Sequence, residues 1–168
     1  MDPRVLVRHE YTSRPHLESL LSHLQSIDPD TPIPLPVVTT SFPPVILDGH
    51  HRVAASRIFG LKKIPVWQVD ESEEVQDWEH TFIRCYSRND GARMSLKSII
   101  DGARAGRIDW GIKGTRHVAV LELTEGVDGM PTTDTTLLEL ELDRITPTIK
   151  WKLWMDQSME NSDSDEFL

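Results

Sequence analysis

One stretch constrains this chain more than any other. Val45-Ile46-Leu47 is an unbroken apolar run, Asp48-Gly49 follows without a spacer, and Val53, Ala54, Ala55, Ile58 and Phe59 then recur at helical spacing as far as Gly60. A strand that turns directly into a helix at a glycine is a unit of α/β architecture. It sets the free N–H groups and the positive end of a helix dipole at the end of a strand, where an anion, above all a phosphate, is stabilised. Gly49 has no Cβ and lets a ligand approach the backbone. His50, His51 and Arg52 add side-chain donors, Arg52 in a fork that matches phosphate oxygens. Asp48 is placed to hold a metal ion or to orient a histidine. A plainer reading of the same residues makes Asp48 the helix cap and leaves both histidines on the surface.

The flanking chain supplies the rest of a small α/β fold. Val5-Leu6-Val7 reads as an opening strand that delivers His9 and Glu10 to its carboxyl end. Leu17, Leu20, Leu21, Leu24 and Ile27 mark one face of a helix that starts after Thr12-Ser13 and closes at Asp28-Pro29-Asp30. Between Pro29 and Pro44, Val37-Val38-Thr39-Thr40 is predicted to be an extended edge strand between proline turns. Ile64 to Val69 is a further strand. Leu96 to Gly106 is predicted to be a helix with Ile99, Ile100 and Ala103 inward, and the alternating His117 to Leu123 a strand that pairs with Leu137 to Leu142. Trp78, Trp151 and Trp154 read as packing residues, and Cys85 as a small buried hydrophobe.

Charge narrows the function classes. The 168 residues carry a formal charge of -9, and the last thirteen, Asp156 to Leu168, hold five acidic residues and no Lys or Arg. That tail is too polar to bury and is expected to be disordered. The body is left near -4, a net acidic balance that does not favour a polyanion, so a nucleic-acid partner is not expected. One cysteine closes no intrachain disulfide, and charges interrupt the first ten residues before a signal or membrane run can form. The expectation is a cytoplasmic protein with no membrane partner. His9, His16, His23 and His80 show no metal-binding spacing.

Leu47-Asp48-Gly49-His50-His51-Arg52-Val53-Ala54-Ala55, followed by Gly60-Leu61-Lys62-Lys63-Ile64-Pro65-Val66, resembles the nucleotide-binding core of the ParB/sulfiredoxin superfamily. The shared pattern, Gly-x-x-Arg-x-x-Ala, is here Gly49, Arg52 and Ala55. The Asp-Gly-His-His-Arg form is closer to one branch of that superfamily, the free L-serine kinases, than to the chromosome-partitioning proteins. His9-Glu10 is similar to their early His-Glu pair, and Lys113-Gly114-Thr115-Arg116-His117 to their Lys-x-Thr-Arg-His segment. Two departures separate the chain from other branches. His50 stands where sulfiredoxin needs its cysteine, and no basic helical module follows Asp70 as in the chromosome-partitioning proteins.

The resemblance implies an α/β (α+β) ParB/sulfiredoxin-like nucleotide-binding fold, a small mixed sheet flanked by helices. One domain would span residues 1–155, with its core at 3–70, and 156–168 would be tail. It implies phosphoryl transfer from ATP or ADP to the hydroxyl of free L-serine with Mg²⁺ present. Glu10 would be the base and Asp48 a catalytic group and magnesium ligand, direct or through water. Gly49, His50, His51, Arg52, Lys113, Thr115, Arg116 and His117 would hold the phosphates, with at least two of His50, His51 and Arg52 in contact. The competing expectation is a non-catalytic ParB-like nucleotide sensor, or a nucleotide hydrolase with no acceptor.

Overall fold

Arg14–Ser26 forms α1, with Pro15 in its first turn, where a missing N–H costs nothing. In the computed structural model, residues 1–71, 82–124 and 135–156 are described; Trp78, His80 and residues 157–168 of the acidic tail lie outside them. After α1 come β1 (Pro32–Pro34), β2 (Val37–Thr39), β3 (Ile46–Asp48) and α2 (His50–Ile58). They are followed by β4 (Trp67–Val69), β5 (Phe82–Ser87), β6 (Arg93–Met94), α3 (Leu96–Arg104) and β7 (Thr115–Thr124). The chain continues through β8 (Thr135–Glu141), the short α4 (Leu142–Ile145), β9 (Thr148–Lys150) and α5 (Trp151–Asp156).

The architecture is mixed α/β, with small sheets flanked by helices. β2 runs antiparallel to β3 and parallel to β4, giving a three-stranded mixed sheet of order β3-β2-β4. Both of its faces are covered, which explains the apolar run at Val45-Ile46-Leu47. Val38 and Ile46 join a core with Leu24 of α1, Val53 of α2 and Trp151 and Trp154 of α5. Val37, Val45 and Leu47 face the other way, into a core with Ile83 of β5, Leu96 and Ile100 of α3 and Ala119 of β7. Beyond that second core lies an antiparallel sheet of order β6-β5-β7-β8. Its β7–β8 pairing agrees with the alternation read from the sequence, whereas β5 had no sequence signal. Cys85, on β5, is buried, as its apolar setting implied.

Two local expectations are corrected. Val37–Thr39 is the central strand of its sheet, not an edge strand, because the prolines fall outside the three paired residues. The prolines do line an edge, in β1, which pairs only with β9. The opening strand at Val5–Val7 is instead a 3₁₀ turn, Pro3–Val5, followed by a single parallel bridge from Val7 to Val45. Asp2 caps that turn by accepting the Arg4 N–H at 2.8 Å. The Arg57 guanidinium donates to the carbonyls of Pro3 at 3.0 Å and Leu6 at 2.7 Å, which a strand would have needed for pairing. Among the described residues, no helix is long and apolar enough to cross a membrane.

The segment after that bridge ties the two larger sheets together. Val7 exchanges backbone bonds of 2.8 Å with Pro44 and Ile46, and the Tyr11 N–H donates to the Gly111 carbonyl at 2.7 Å, beside its bridge to Ile112. His9 and Glu10 are thereby fixed between β3 and the start of β7. The loop that enters β7 depends on Gly114, where a Cβ would lie 1.7 Å from the backbone oxygen of Trp110. Gly106 has a left-handed φ of 76° but open space around it. Gly114→Ala is therefore expected to cost about 3 kcal/mol or more, because backbone must move. Gly106→Ala should cost only about 1–2 kcal/mol of conformational strain. Urea unfolding of the two variants tests this, and equal losses would refute it.

Candidate functional site: a two-lobed cleft around Glu10

The turn after β3 starts α2 differently from the way a capped helix usually starts. Gly49, not Asp48, is the cap residue, with φ 86° and no side-chain cap bond. Asp48 turns instead to Arg52, whose Nη2 donates to Oδ2 at 2.6 Å. A Cβ on Gly49 would sit 3.0 Å from both the Arg52 guanidinium and the Pro36 Cα, so glycine is required here by space as well as by φ. The first-turn amides of α2 have no acceptor within the helix. The same turn points His50 inward, where it is buried, and leaves His51 half-buried, its Nε2 accepting the Ser13 N–H at 2.9 Å.

Two adjoining cavities, of about 220 and 480 Å³, open on this turn. Both are lined by Glu10, Asp48, His50, Lys113 and Asp143, which form the wall between them. The smaller lobe adds Arg88, Thr115, His117 and Glu141. The larger adds Gly49, His51 and Arg52, with Leu20, Leu24 and Ile33 opposite. Of the residues singled out in the sequence, the fold thus brings nine to one cleft. Arg116 stands apart. Alternation along β7 sends Thr115 and His117 to the cleft and Arg116 to the other face, where it pairs with Glu141 and lies over the Tyr86 ring.

Glu10 is buried, and one of its oxygens accepts both the backbone N–H of Thr115 at 2.8 Å and the Thr115 hydroxyl at 2.5 Å. His9 lies behind it. His9 Nδ1 meets the Ile46 carbonyl at 2.7 Å, and Nε2 meets the same Thr115 hydroxyl at 3.0 Å. A carbonyl only accepts, so Nδ1 carries the hydrogen and Nε2 of the neutral ring is an acceptor. The single Thr115 proton therefore faces two acceptors, Glu10 and His9. The chain is one proton short while Glu10 is ionised and is complete once Glu10 has taken a proton.

Burial sets the charge states. Burial pushes the Glu10 carboxyl above its ordinary value, against the opposing bonds from Thr115 and the nearby Arg88 cation. Burial lowers His9 to about 4 and takes His50 and His117 well below the usual histidine range, helped by the neighbouring imidazoles. At neutral pH these rings are uncharged, and their ring N–H groups are the donors they can offer a ligand. The cations of the cleft are Arg88, Lys113 and the Arg52 of the Asp48 pair. His50 Nε2 and His117 Nε2 are buried with no hydrogen-bond partner among the described residues.

Sequence reading missed three members. His9 was noted beside Glu10 in the His-Glu pair and weighed for metal-ligand spacing, but was given no role in the site, and its burial is set by the tie between Val7 and Tyr11. Arg88 and Asp143 come from segments without a motif and reach the cleft only through the pairing of β5 with β7 and the turn after β8.

No family model matches the chain. Over 96 residues, 53% of the chain, it is 34% identical to a ParB-like protein of Sulfolobus acidocaldarius, of which 47% is covered. The chain spans about half the length of that curated relative. Among solved structures, it is similar to a conserved hypothetical protein from Pyrococcus furiosus, with TM-score 0.41 and 20% identity over 52% of this chain and 35% of that one. A free serine kinase in complex with AMP is similar at TM-score 0.41 and 19% identity, over 52% and 34%. The sequence match makes the chain similar to a ParB-like protein over about half of its length.

The charge states give a pH dependence with a definite sign. His9, His50 and His117 have folded pKa values below the unfolded value near 6.5, so their contribution to stability is complete above that value and is lost as pH falls. Glu10, raised on folding, works the other way: its contribution is largest when protonated and declines as pH rises through its folded value. Three protons outweigh one. Between pH 7 and 5, stability should fall by about 1.4 kcal/mol per pH unit for each net proton excluded. His117→Leu should flatten that slope by about one proton. Urea unfolding at stepped pH with a chelator present measures both, and a flat profile would refute the assignment.

Proposed function

We propose that the chain is a small phosphotransferase that moves a phosphoryl group from an adenine nucleotide, ATP or ADP, to the hydroxyl of free L-serine. The observation that carries this reading is Glu10, a buried carboxylate on the wall shared by two cavities, held by Thr115 and lacking one proton in its hydrogen-bond chain. The motif resemblance of Gly49, His50, His51 and Arg52 and of Lys113 to His117 supports it.

The larger lobe suits the nucleotide. Leu20, Leu24 and Ile33 offer an apolar wall to a base, while the Gly49 turn, Arg52 and Lys113 offer donors to phosphates. The smaller lobe suits an amino acid, with Arg88 for its carboxylate and Asp143 for its ammonium. Asp48 and Asp143 line both lobes and supply the carboxylate oxygens that Mg²⁺ prefers, so the residues present fit that ion. Bound there with a nucleotide, Mg²⁺ would neutralise phosphate charge. Lys113, at φ 50°, is held in a strained loop conformation at the junction of the lobes. In the reaction, the serine oxygen bonds to phosphorus as the bond to the nucleotide's leaving oxygen breaks. Glu10 takes the hydroxyl proton, and its raised pKa makes it a stronger base than an exposed carboxylate. Thr115 then donates onward to His9 Nε2, so the protonated state is fully paired.

The sequence match to a ParB-like protein favours one second reading, a nucleotide-binding module that transfers nothing. One incubation separates the two: purified chain, L-serine, Mg²⁺ and either ATP or ADP, with O-phospho-L-serine followed by mass. Serine-dependent product is expected, and nucleotide affinity without product would leave the module reading standing. Glu10→Gln should lower turnover by about 10²–10⁴-fold. Its nucleotide affinity should stay within about threefold, since the base contacts the acceptor and not the phosphates. Unchanged turnover would remove Glu10 from the chemistry.

A further inference from the structure

We propose that His9, Glu10 and His50 form a binding site for a divalent transition ion of the zinc, cobalt or iron(II) kind, separate from the oxygen ligands that a magnesium nucleotide would use. One ligand atom from each lies within 4.8 Å of those from the other two, and all three residues are buried. His9 Nε2 is 3.8 Å from Glu10 Oε1, and His50 Nδ1 is 3.9 Å from Glu10 Oε2. Around an ion with bonds of about 2.0–2.1 Å, tetrahedral ligand atoms lie about 3.3 Å apart, so closing on it shortens the nearer pairs by about half an ångström and the widest by up to about 1.5 Å.

The surroundings are those of a metal ligand set. His9 donates its Nδ1 hydrogen to the Ile46 carbonyl, the outer bond that commonly fixes a metal-bound imidazole, and this leaves the Nε2 lone pair facing the Thr115 hydroxyl at 3.0 Å, with Glu10 Oε1 3.8 Å away. The His9 and His50 rings meet edge to face, with centroids 4.7 Å apart. His50 supplies a second observation. Its other nitrogen, Nε2, is buried without a partner among the described residues, so the ring hydrogen can sit there and leave the Nδ1 lone pair, 3.9 Å from Glu10 Oε2, for an ion. Two imidazoles and one carboxylate suit the middle and later first-row ions, whereas Mg²⁺ prefers oxygen alone. The smaller lobe beside Glu10 and His50 leaves space for an exchangeable ligand.

This inference is independent of the phosphoryl-transfer reading, and its test reads binding directly. The full chain, stripped with a chelator, is titrated with zinc chloride by calorimetry and with cobalt chloride by visible absorption. One ion per chain is expected, with cobalt bands typical of nitrogen and oxygen ligands and a higher melting temperature. His9→Gln, which keeps a donor for the Ile46 carbonyl, and His50→Ala should each weaken binding about a hundredfold. The double variant His16→Ala, His51→Ala, at the outer histidine pair 5.6 Å apart, should bind as the parent does. Absence of saturable binding overturns the site. So does binding that survives His50→Ala, or that disappears with His16 and His51. Should His9→Gln fail to fold, as judged by circular dichroism, His50→Ala decides alone. A protein that binds the added ion, yet makes no phosphoserine when stripped of it with a chelator and supplied with Mg²⁺ alone, would sink the kinase and leave this site standing.

Discussion

Burying a carboxylate is costly unless its oxygens are hydrogen-bonded, and Glu10 is satisfied by a residue 105 positions away. The backbone N–H and hydroxyl of Thr115 reach it only if β7 begins at the right point. That start is set by Gly114, which cannot carry a side chain against Trp110, and by the bond from Tyr11 to Gly111. Glu10 itself reaches the site only because Val7 is bridged to Val45. The carboxylate, the tie and the loop are thus one mechanical unit. It joins the mixed sheet to the antiparallel one and forms the wall of the cleft at the same point.

The electrostatics of the cleft follow from the same packing. His50, His51 and His117 line it and His9 lies behind Glu10, yet burial keeps His9, His50 and His117 uncharged at neutral pH, so positive charge is restricted to a few side chains. Arg52 is paired with Asp48, Lys113 lines both lobes and Arg88 lines the smaller one. A site with so few cations, in a body that is itself acidic, suits a small anion whose phosphates can meet the backbone amides of α2. A long polyanion would meet repulsion beyond the cleft mouth.

The mixed sheet and the Gly49 turn were legible because their signals are local: an apolar run, a glycine and a helical period occupy fifteen consecutive residues. Elsewhere the physics is non-local. Val37–Thr39 carries prolines on both sides, and nothing in that segment shows that β3 and β4 would take both of its edges. The opening strand was misread because Arg57, fifty residues on, occupies the carbonyls that a strand would have used. His50 and His51 are indistinguishable as neighbours in sequence. Their fates diverge with the helix phase set by Gly49, which buries one and turns the other to Ser13. Arg116 was grouped with Thr115 and His117 by motif, and strand alternation then separated it from them.

The proton shortage around Thr115 joins the two uses of the cleft. With Glu10 ionised, the Thr115 hydrogen satisfies either Glu10 or His9, and the other acceptor holds an exposed lone pair in a buried setting. Two species can relieve this: a proton delivered by a substrate hydroxyl, or a metal ion that accepts both lone pairs at once. Both need the same Glu10 and His9 atoms, so they cannot be present together. A carboxylate that waits for a substrate proton in a nest of neutral imidazoles is, by the same chemistry, a set of transition-metal ligands. Under the two proposals, an acceptor substrate and a transition ion would compete for one arrangement of lone pairs, and occupancy by the ion would silence Glu10 as a base without altering the larger lobe.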